Sequence, residues 1–231
     1  MLNEGYIKLA LRLTIATMPS LAQCKFPADV TGRVLNYTFD ATHTSTGGVL
    51  HVGLDFRTGQ AVEELEIPTE WAGETLHGVR NLRAVSENTV ISDGSSRESK
   101  VVRHPVNKEV LLAYDVVKDW TGPFRHPAEF HGTFLPEYLE LAGDIALVRP
   151  KLPADATVTV HFDWRNLPTG WVLATSFGTS ADSGERCQSY TGKWSAVQHA
   201  LFAAGMFGIY HFRIGAQPAI LSDPRPVDIF R

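Results

Sequence analysis

The amino-acid sequence predicts a mainly β fold, a β-sandwich-like antiparallel domain with one helix near its C-terminal end. In Val49–Phe56, apolar residues alternate with polar or small residues at period two, which is typical of a strand with one buried face. Thr157–Trp164 repeats this alternation, so we expect both segments to be antiparallel strands with one solvated face. Short strands separated by turns rich in glycine and proline favour a β-sandwich or a large curved sheet.

Weaker patterns predict the other elements. Further strands are expected at Val34–Phe39, Val62–Ile67, Val110–Val116, Ile145–Val148, Trp171–Ser176 and Phe207–Ile214. One helix is predicted over Lys193–Met206, where apolar residues recur at helical spacing: Trp194, Val197, Leu201 and Ala204. The segment from residue 80 to 108 is polar and poorly periodic, and we expect a loop at Ser92–Ser99.

Composition places the chain in the globular range and argues against one class of partner. The 231 residues are 44% hydrophobic and 20% charged, which is enough apolar material to bury a core. The formal net charge is -4, and lysine and arginine are scattered along the chain. Because a nucleic-acid surface needs clustered positive charge, we expect no nucleic-acid partner.

The first 22 residues have the features of an export signal. Lys8 and Arg12 precede the apolar run Leu13–Leu21, and small residues occur near its end, before Gln23. We therefore expect residues 1–22 to be a signal peptide and the mature protein to be periplasmic or secreted. The alternative is an amphipathic helix that belongs to the fold. No other stretch approaches the roughly 20 apolar residues that span a bilayer, so no membrane span is expected.

Only two cysteines occur, Cys24 and Cys187, so one disulfide is possible and a cysteine-rich zinc site is not. Export would permit the bridge, because disulfides persist in oxidising compartments. Chain ends are often frayed, and Cys24 lies next to the expected cleavage point. This position favours two separate thiols, while the sequence leaves the pairing itself open.

Nine histidines raise the question of a metal site, and the densest group runs from His126 to His131. A zincin uses His-Glu-x-x-His on a helix, so that two imidazoles one turn apart bind the same ion. Here the two histidines are five residues apart, Pro127 disfavours a helix, and Glu129 does not follow His126 directly. The motif is absent, so we expect no metal ligands, no cofactor and two ordinary polar histidines in a loop.

Other catalytic patterns are missing too. The serine in Thr175–Gly178 lacks the Gly-x-Ser-x-Gly elbow of hydrolases, and no glycine-rich phosphate loop follows a strand. His161 and Asp163 share one strand face because side chains alternate at period two, and we interpret them as part of the solvated face. The sequence therefore predicts no catalytic residue.

The five tryptophans are expected mainly to anchor the core, since large aromatic side chains dominate core energetics. Trp71, Trp120 and Trp171 each adjoin a turn. The alternative for these three is a cleft that binds a ligand, and they are the candidate binding residues.

Three stretches, in this order, resemble a known family: Leu65–Gly73 (LEIPTEWAG), Gly143–Pro150 (GDIALVRP) and Leu167–Ser176 (LPTGWVLATS). They are similar to segments of the N-terminal domain of the glycyl aminopeptidases, the family-61 zinc metallopeptidases. In that family a β-rich domain precedes a separate catalytic domain that carries His-Glu-x-x-His. The resemblance extends over about Arg33 to Leu221, with Ala72 standing where the family tends to have proline.

The resemblance implies a domain organisation and a function. Residues 33–221 are expected to be the β-rich peptidase N-terminal-like domain and residues 222–231 an extended tail or truncated linker, since the sequence ends at Arg231 before a catalytic domain could begin. The implied role is a non-catalytic accessory domain that shapes the substrate cleft of an exported zinc aminopeptidase, with the catalytic domain and a peptide as possible partners.

Two other functions remain open from the sequence. The first alternative is a free-standing periplasmic module that binds a peptide or sugar through an aromatic-lined groove. An independent hydrolase is disfavoured, because no activated nucleophile or metal-binding set is visible.

Export gives the first testable prediction. If residues 1–22 are a signal peptide, the mature chain begins near Gln23, and mass spectrometry of protein from the periplasmic fraction should show this new N-terminus. Soluble cytoplasmic protein that keeps Met1 would contradict it.

Overall fold

The computed structural model describes residue 24 and residues 32–71, 73–120, 131–180, 184–206, 208–214 and 217–223, with side chains up to residue 209. The helices are α1 (Thr44–Gly47), α2 (Gly143–Ala146) and α3 (Trp194–Gln198). The strands are β1 (Arg33–Asp40), β2 (Val49–Arg57), β3 (Val62–Glu66), β4 (Glu70–Trp71), β5 (Glu74–Thr75), β6 (Val79–Ala84), β7 (Val90–Asp93), β8 (Ser99–Arg103), β9 (Glu109–Val117), β10 (Thr133–Phe134), β11 (Tyr138–Ala142), β12 (Arg149–Pro150), β13 (Thr157–Arg165), β14 (Val172–Thr175), β15 (Gly178–Thr179), β16 (Cys187–Lys193), β17 (Leu201–Gly205), β18 (Gly208–Ile214) and β19 (Gln217–Asp223).

Most strands belong to three sheets. The orders are β16-β13-β1-β2-β9-β6, β10-β11-β17-β14-β15 and β12-β3-β8-β7, while β4–β5 and β18–β19 form separate hairpins. Neighbouring strands are antiparallel, except that β1 and β13 run parallel. The predicted fold class is therefore confirmed: the chain is mainly β, sandwich-like and dominated by antiparallel pairs.

An aromatic layer fills the space between the six-stranded and five-stranded sheets. Phe39 of β1 stacks on Trp164 of β13, with ring centroids 4.3 Å apart. Phe202 of β17 lies 5.8 Å from Phe39, 6.1 Å from Trp164 and 5.3 Å from Phe162. All four side chains are buried, so contacts between these rings hold the two sheets face to face.

Strand β13 differs from the prediction because both of its faces are buried. Placing His161 and Asp163 on a solvated face was wrong, since they are 2% and 6% exposed. β13 lies between β1 and β16 inside the largest sheet, and its parallel pairing with β1 was not expected. Burial lowers the pKa of His161, whose Nδ1 lies 2.7 Å from Ser189 Oγ.

The predicted helix over Lys193–Met206 is correct only at its beginning. Helix α3 ends at Gln198, and Leu201–Gly205 forms the central strand β17, paired with β11 and β14. Phe202 and Ala204 are buried while Leu201 is exposed, so burial alternates from one residue to the next after Ala200, as in a strand.

No helix in the described part of the chain is long and apolar enough to cross a membrane.

Two further expectations fail for identifiable reasons. Ile145–Val148 does not form a strand, because α2 ends at Ala146 and Leu147 N donates to Gly143 O at 3.0 Å. Every residue in a short buried apolar run is apolar, so the spacing of apolar residues cannot distinguish a helix from a strand. The polar region from residue 80 to 108 contains β6, β7 and β8, and the sequence contains little sign of them because β6 and β7 have no fully buried residue. Within the expected loop at Ser92–Ser99, β7 continues to Asp93 and β8 begins at Ser99.

Cys24 and Cys187 form a disulfide, so the expectation of two separate thiols was wrong. Their Cα atoms are 5.8 Å apart, and 163 positions separate them in the sequence. Because the bridge closes a long loop in the unfolded chain, the chain-entropy account gives it a stabilisation of about 5 kcal/mol. It connects a residue that precedes β1 to the first residue of the edge strand β16.

The aromatic layer gives the second prediction. Trp164→Ala should reduce the free energy of unfolding by about 3 to 5 kcal/mol, because it leaves a cavity where a 2% exposed tryptophan packs on Phe39 and Phe202. Urea titration measures this loss. Trp71→Ala makes the same change at a site 36% exposed and should cost clearly less. Equal losses in the two variants would contradict the assignment of Trp164 to the core.

Candidate functional site

The three candidate tryptophans lie in different environments. Trp71 ends strand β4 and is partly exposed beside a surface cleft. Trp120 is half-buried, and its ring centroid lies 5.5 Å from that of His131. Trp171 is only 5% exposed and belongs to the core. The cleft beside Trp71 is lined by neither of the other two, so the structure does not bring the three together there.

The cleft beside Trp71, called the Trp71 cleft from here on, is lined by residues from Leu65–Gly73 and Gly143–Pro150, two of the three stretches that carry the family resemblance. Strand β12 pairs with β3, with Arg149 opposite Glu66 and Pro150 opposite Leu65. The volume is about 480 Å³, and the lining residues are Glu66, Ile67, Pro68, Thr69, Glu70, Trp71, Glu98, Asp144 and Arg149. Residues distant in sequence therefore form one surface through the pairing of β3 with β12 and β8.

Arg149 organises the polar side of the Trp71 cleft. Its Nε donates to Glu66 Oε2 and its Nη1 to Asp144 Oδ1, both at 3.2 Å. His199, which follows α3, places Nδ1 2.6 Å from Asp144 Oδ2. The guanidinium is largely buried while the imidazole is largely exposed. Asp144 thus links a fixed cation to a histidine that faces solvent.

The charges of the Trp71 cleft favour a cationic ligand group. Four carboxylates line it, from Glu66, Glu70, Glu98 and Asp144, against the single guanidinium of Arg149. An excess of negative charge in a cleft attracts positively charged groups. The indole of Trp71 adds an aromatic surface on which an apolar side chain or a cation can pack.

A second cleft crosses the outer face of the six-stranded sheet and has a volume of about 630 Å³. Thr38, Gly53 and Ala113, opposite one another on β1, β2 and β9, line it with small side chains. Nearby, Asp115 accepts from Asn81 Nδ2 at 2.6 Å and contacts His51 Nδ1 at 2.7 Å. Burial raises the pKa of Asp115, but these hydrogen bonds outweigh burial and lower it.

A third cleft, also of about 480 Å³, contains Asp55 and Glu109. Asn36 Nδ2 donates to Asp55 Oδ2 at 3.3 Å, and Glu109 places a second carboxyl group next to that of Asp55. Burial, together with the contact with Glu109, raises the pKa of Asp55 to about 6. This carboxyl group therefore gains a proton in mildly acidic solution.

The histidine group weighed as a metal site is only partly described. His126 and Glu129 lie outside the described residues. His131 is buried, and its Nδ1 lies 2.9 Å from Asp119 Oδ1, while Asp119 Oδ2 accepts from His77 N at 2.7 Å. In the described part of the chain, a trio of potential metal ligands occurs only at Cys24, Asp163 and Cys187.

Sequence reasoning identified Trp71 but missed most of its surroundings. Asp144 and Arg149 lie inside the second stretch of the family resemblance, and that was the available signal for them. The sequence contains no signal for Glu98 or His199. The turn before β8 and the end of α3 bring these two residues close to the cleft only in the folded structure.

Comparison with solved structures finds a similar fold in part of a larger chain. The match to an aminopeptidase N family protein from Idiomarina loihiensis has a TM-score of 0.62 and 15% identity, and covers 81% of this chain and 32% of that chain. A mutant two-domain M1 zinc metallopeptidase bound to L-tryptophan matches at a TM-score of 0.44 and 15% identity, over 81% of this chain and 46% of that chain. No family model and no curated protein matches. The chain thus shares a β-rich fold with part of the aminopeptidase N family chain, of which it spans about a third.

The carboxyl pair gives the third prediction. The pKa of Asp55 is about 6 in the folded protein and about 3.9 in the unfolded chain, so the folded state binds more protons between these values. The free energy of unfolding contributed by Asp55 should therefore fall as pH rises from about 4 to about 6. Asp55→Asn should flatten this part of the curve, and Glu109→Gln should flatten it in part, in urea titrations at a series of pH values. Asp155→Asn, at an exposed turn, is the control, and an unchanged slope in Asp55→Asn would contradict the assignment.

Proposed function

We propose that this chain is the non-catalytic, β-rich part of a zinc aminopeptidase of the glycyl aminopeptidase-like kind, and that it forms one side of the substrate cleft. The observation that carries the proposal is the fold shared over 81% of this chain with an aminopeptidase N family chain, of which it covers 32%. The sequence itself lacks His-Glu-x-x-His, so the zinc chemistry would come from a separate catalytic domain.

The Trp71 cleft is the surface that would face the substrate. It is formed by the first two stretches that resemble the glycyl aminopeptidases together with Glu98, and its carboxylates outnumber its single guanidinium. An aminopeptidase substrate carries a positively charged amino group, and negative potential in the cleft would raise its local concentration. Arg149 would hold Glu66 and Asp144 in place while the other carboxylates face the peptide.

The same proposal places the protein outside the cytoplasm, in the periplasm or secreted. The Cys24–Cys187 disulfide supports this location, because disulfides persist mainly in oxidising compartments. The apolar segment that ends before Gln23 would be the export signal.

Co-expression with a separate family-61 catalytic domain tests the proposal. The two chains should co-purify, and the complex should release glycine from a small peptide faster than the catalytic domain alone. Trp71→Ala should raise the KM for the peptide about fivefold or more, as expected for the loss of about 1 kcal/mol at a contact surface.

Val106→Ala is the matched control, because Val106 is an exposed apolar residue in the turn between β8 and β9, away from the Trp71 cleft. It should leave KM and association unchanged. A folded chain that does not associate with the catalytic domain would remove the accessory role. Binding of a peptide or sugar by that isolated chain would then favour the free-standing module.

A further inference from the structure

Cys24, Asp163 and Cys187 place three metal-binding groups together at the edge of the six-stranded sheet. The two Sγ atoms and a carboxylate oxygen of Asp163 all lie within 4.8 Å of one another. In this structure the sulfurs are joined in the disulfide, and a disulfide sulfur does not serve as a thiolate ligand.

We propose that reduction of the Cys24–Cys187 disulfide converts this trio into a binding site for one thiolate-preferring divalent metal ion, of which zinc is the first choice. The disulfide and the metal-bound state exclude each other, because both use the same two sulfur atoms. The site does not depend on the proposed peptidase role, since it lies on strands β13 and β16 and shares no residue with the Trp71 cleft.

The chemistry needs a two-electron reductant, either a dithiol, which becomes a disulfide, or a phosphine, which takes an oxygen atom from water and becomes the phosphine oxide. In either case the bond between the protein sulfurs breaks, and Cys24 and Cys187 each gain one electron and one proton as they become thiols. Metal binding then releases those two protons to solvent, since the ligands are thiolates. Asp163 supplies the third ligand, and water completes a tetrahedral zinc site.

The sheet holds two of the three ligands in register. Asp163 of β13 pairs directly with Cys187 of β16 in an antiparallel ladder, so the two side chains are neighbours on the same face. Cys24 reaches this pair from before β1, with its Cα 5.8 Å from that of Cys187. The backbone ladder therefore fixes the Cα positions of two of the three ligand residues.

The movement needed between the two states is small. Sulfurs that share a tetrahedral zinc ion are about 3.8 Å apart, because each Zn–S bond is about 2.3 Å. Sulfurs in a disulfide are about 2.05 Å apart. The distance between the sulfurs must therefore increase by about 1.7 Å when the disulfide is replaced by the metal site. Rotation of the two half-buried cysteine side chains provides this movement.

Arg165 would act as a supporting residue for the carboxylate ligand. Its Nε donates to Asp163 Oδ2 at 2.8 Å and its Nη2 contacts the same oxygen at 2.6 Å. A metal ion would therefore be bound through Oδ1. Hydrogen-bonded partners of this kind orient ligands and strengthen metal sites.

Metal stoichiometry of the full chain in both redox states tests the site. Protein reduced with a phosphine, freed of it without oxygen and given zinc should retain one zinc per chain after gel filtration, and the disulfide form should retain none. With cobalt in place of zinc, the reduced protein should show thiolate-to-cobalt absorption. Asp163→Asn should weaken zinc binding by about tenfold or more, and Asp155→Asn, the same change at an exposed turn, should not.

Several outcomes would overturn the site. The site is disproved if reduced wild-type protein retains no zinc, whether or not far-ultraviolet circular dichroism shows that the reduced chain is folded. Equal zinc affinity in Asp163→Asn and Asp155→Asn also disproves it, since two cysteines of an unfolded chain would bind zinc without the carboxylate. Retention of zinc by the disulfide form would place the metal elsewhere.

Discussion

The stacking of β1 and β13 side chains against β17 is the contact on which the rest of the fold depends. Phe39 and Trp164 are brought together by the parallel pairing of β1 with β13, in which these two residues are opposite each other. Phe202 packs on both from the five-stranded sheet. Because interior packing is dense, this layer fixes the separation of the sheets and the path of the segments between them.

Two tyrosines extend this constraint to the Trp71 cleft. Tyr37 Oη donates to Val148 O at 2.9 Å, and Val148 N donates to Tyr114 Oη at 3.2 Å. Burial raises the pKa of both phenols, so they stay neutral and keep their hydroxyl protons. The backbone just before Arg149 is thereby attached to the six-stranded sheet. The packing of the core therefore determines where the Arg149 guanidinium lies, and through it the polar side of the Trp71 cleft.

The sequence patterns predicted the secondary structure correctly where apolar residues recur at a single spacing, as in a strand with one buried face. β2 was recognised because one of its faces is buried and the other is not, whereas β13 gave the right strand but the wrong environment for Asp163. Val197 and Leu201 are four residues apart, which imitates a helix, although β17 begins at Leu201. The Trp71 cleft was only partly predictable, since Glu98 joins it through the pairing of β3 with β8, which no local pattern encodes.

The buried carboxylate beside the disulfide calls for an explanation that stability alone does not supply. Burying the carboxylate of Asp163 costs desolvation energy, and an ion pair with the partly exposed Arg165 recovers only part of it. The disulfide needs no acidic neighbour, because closing the chain between Cys24 and Cys187 restricts the unfolded state whatever surrounds the sulfurs. An acid held in register with Cys187 by the ladder, and oriented by an arginine through one oxygen, is the arrangement that a metal ligand requires. The proposed metal site therefore gives Asp163 a function in the reduced state that the oxidised state leaves unused.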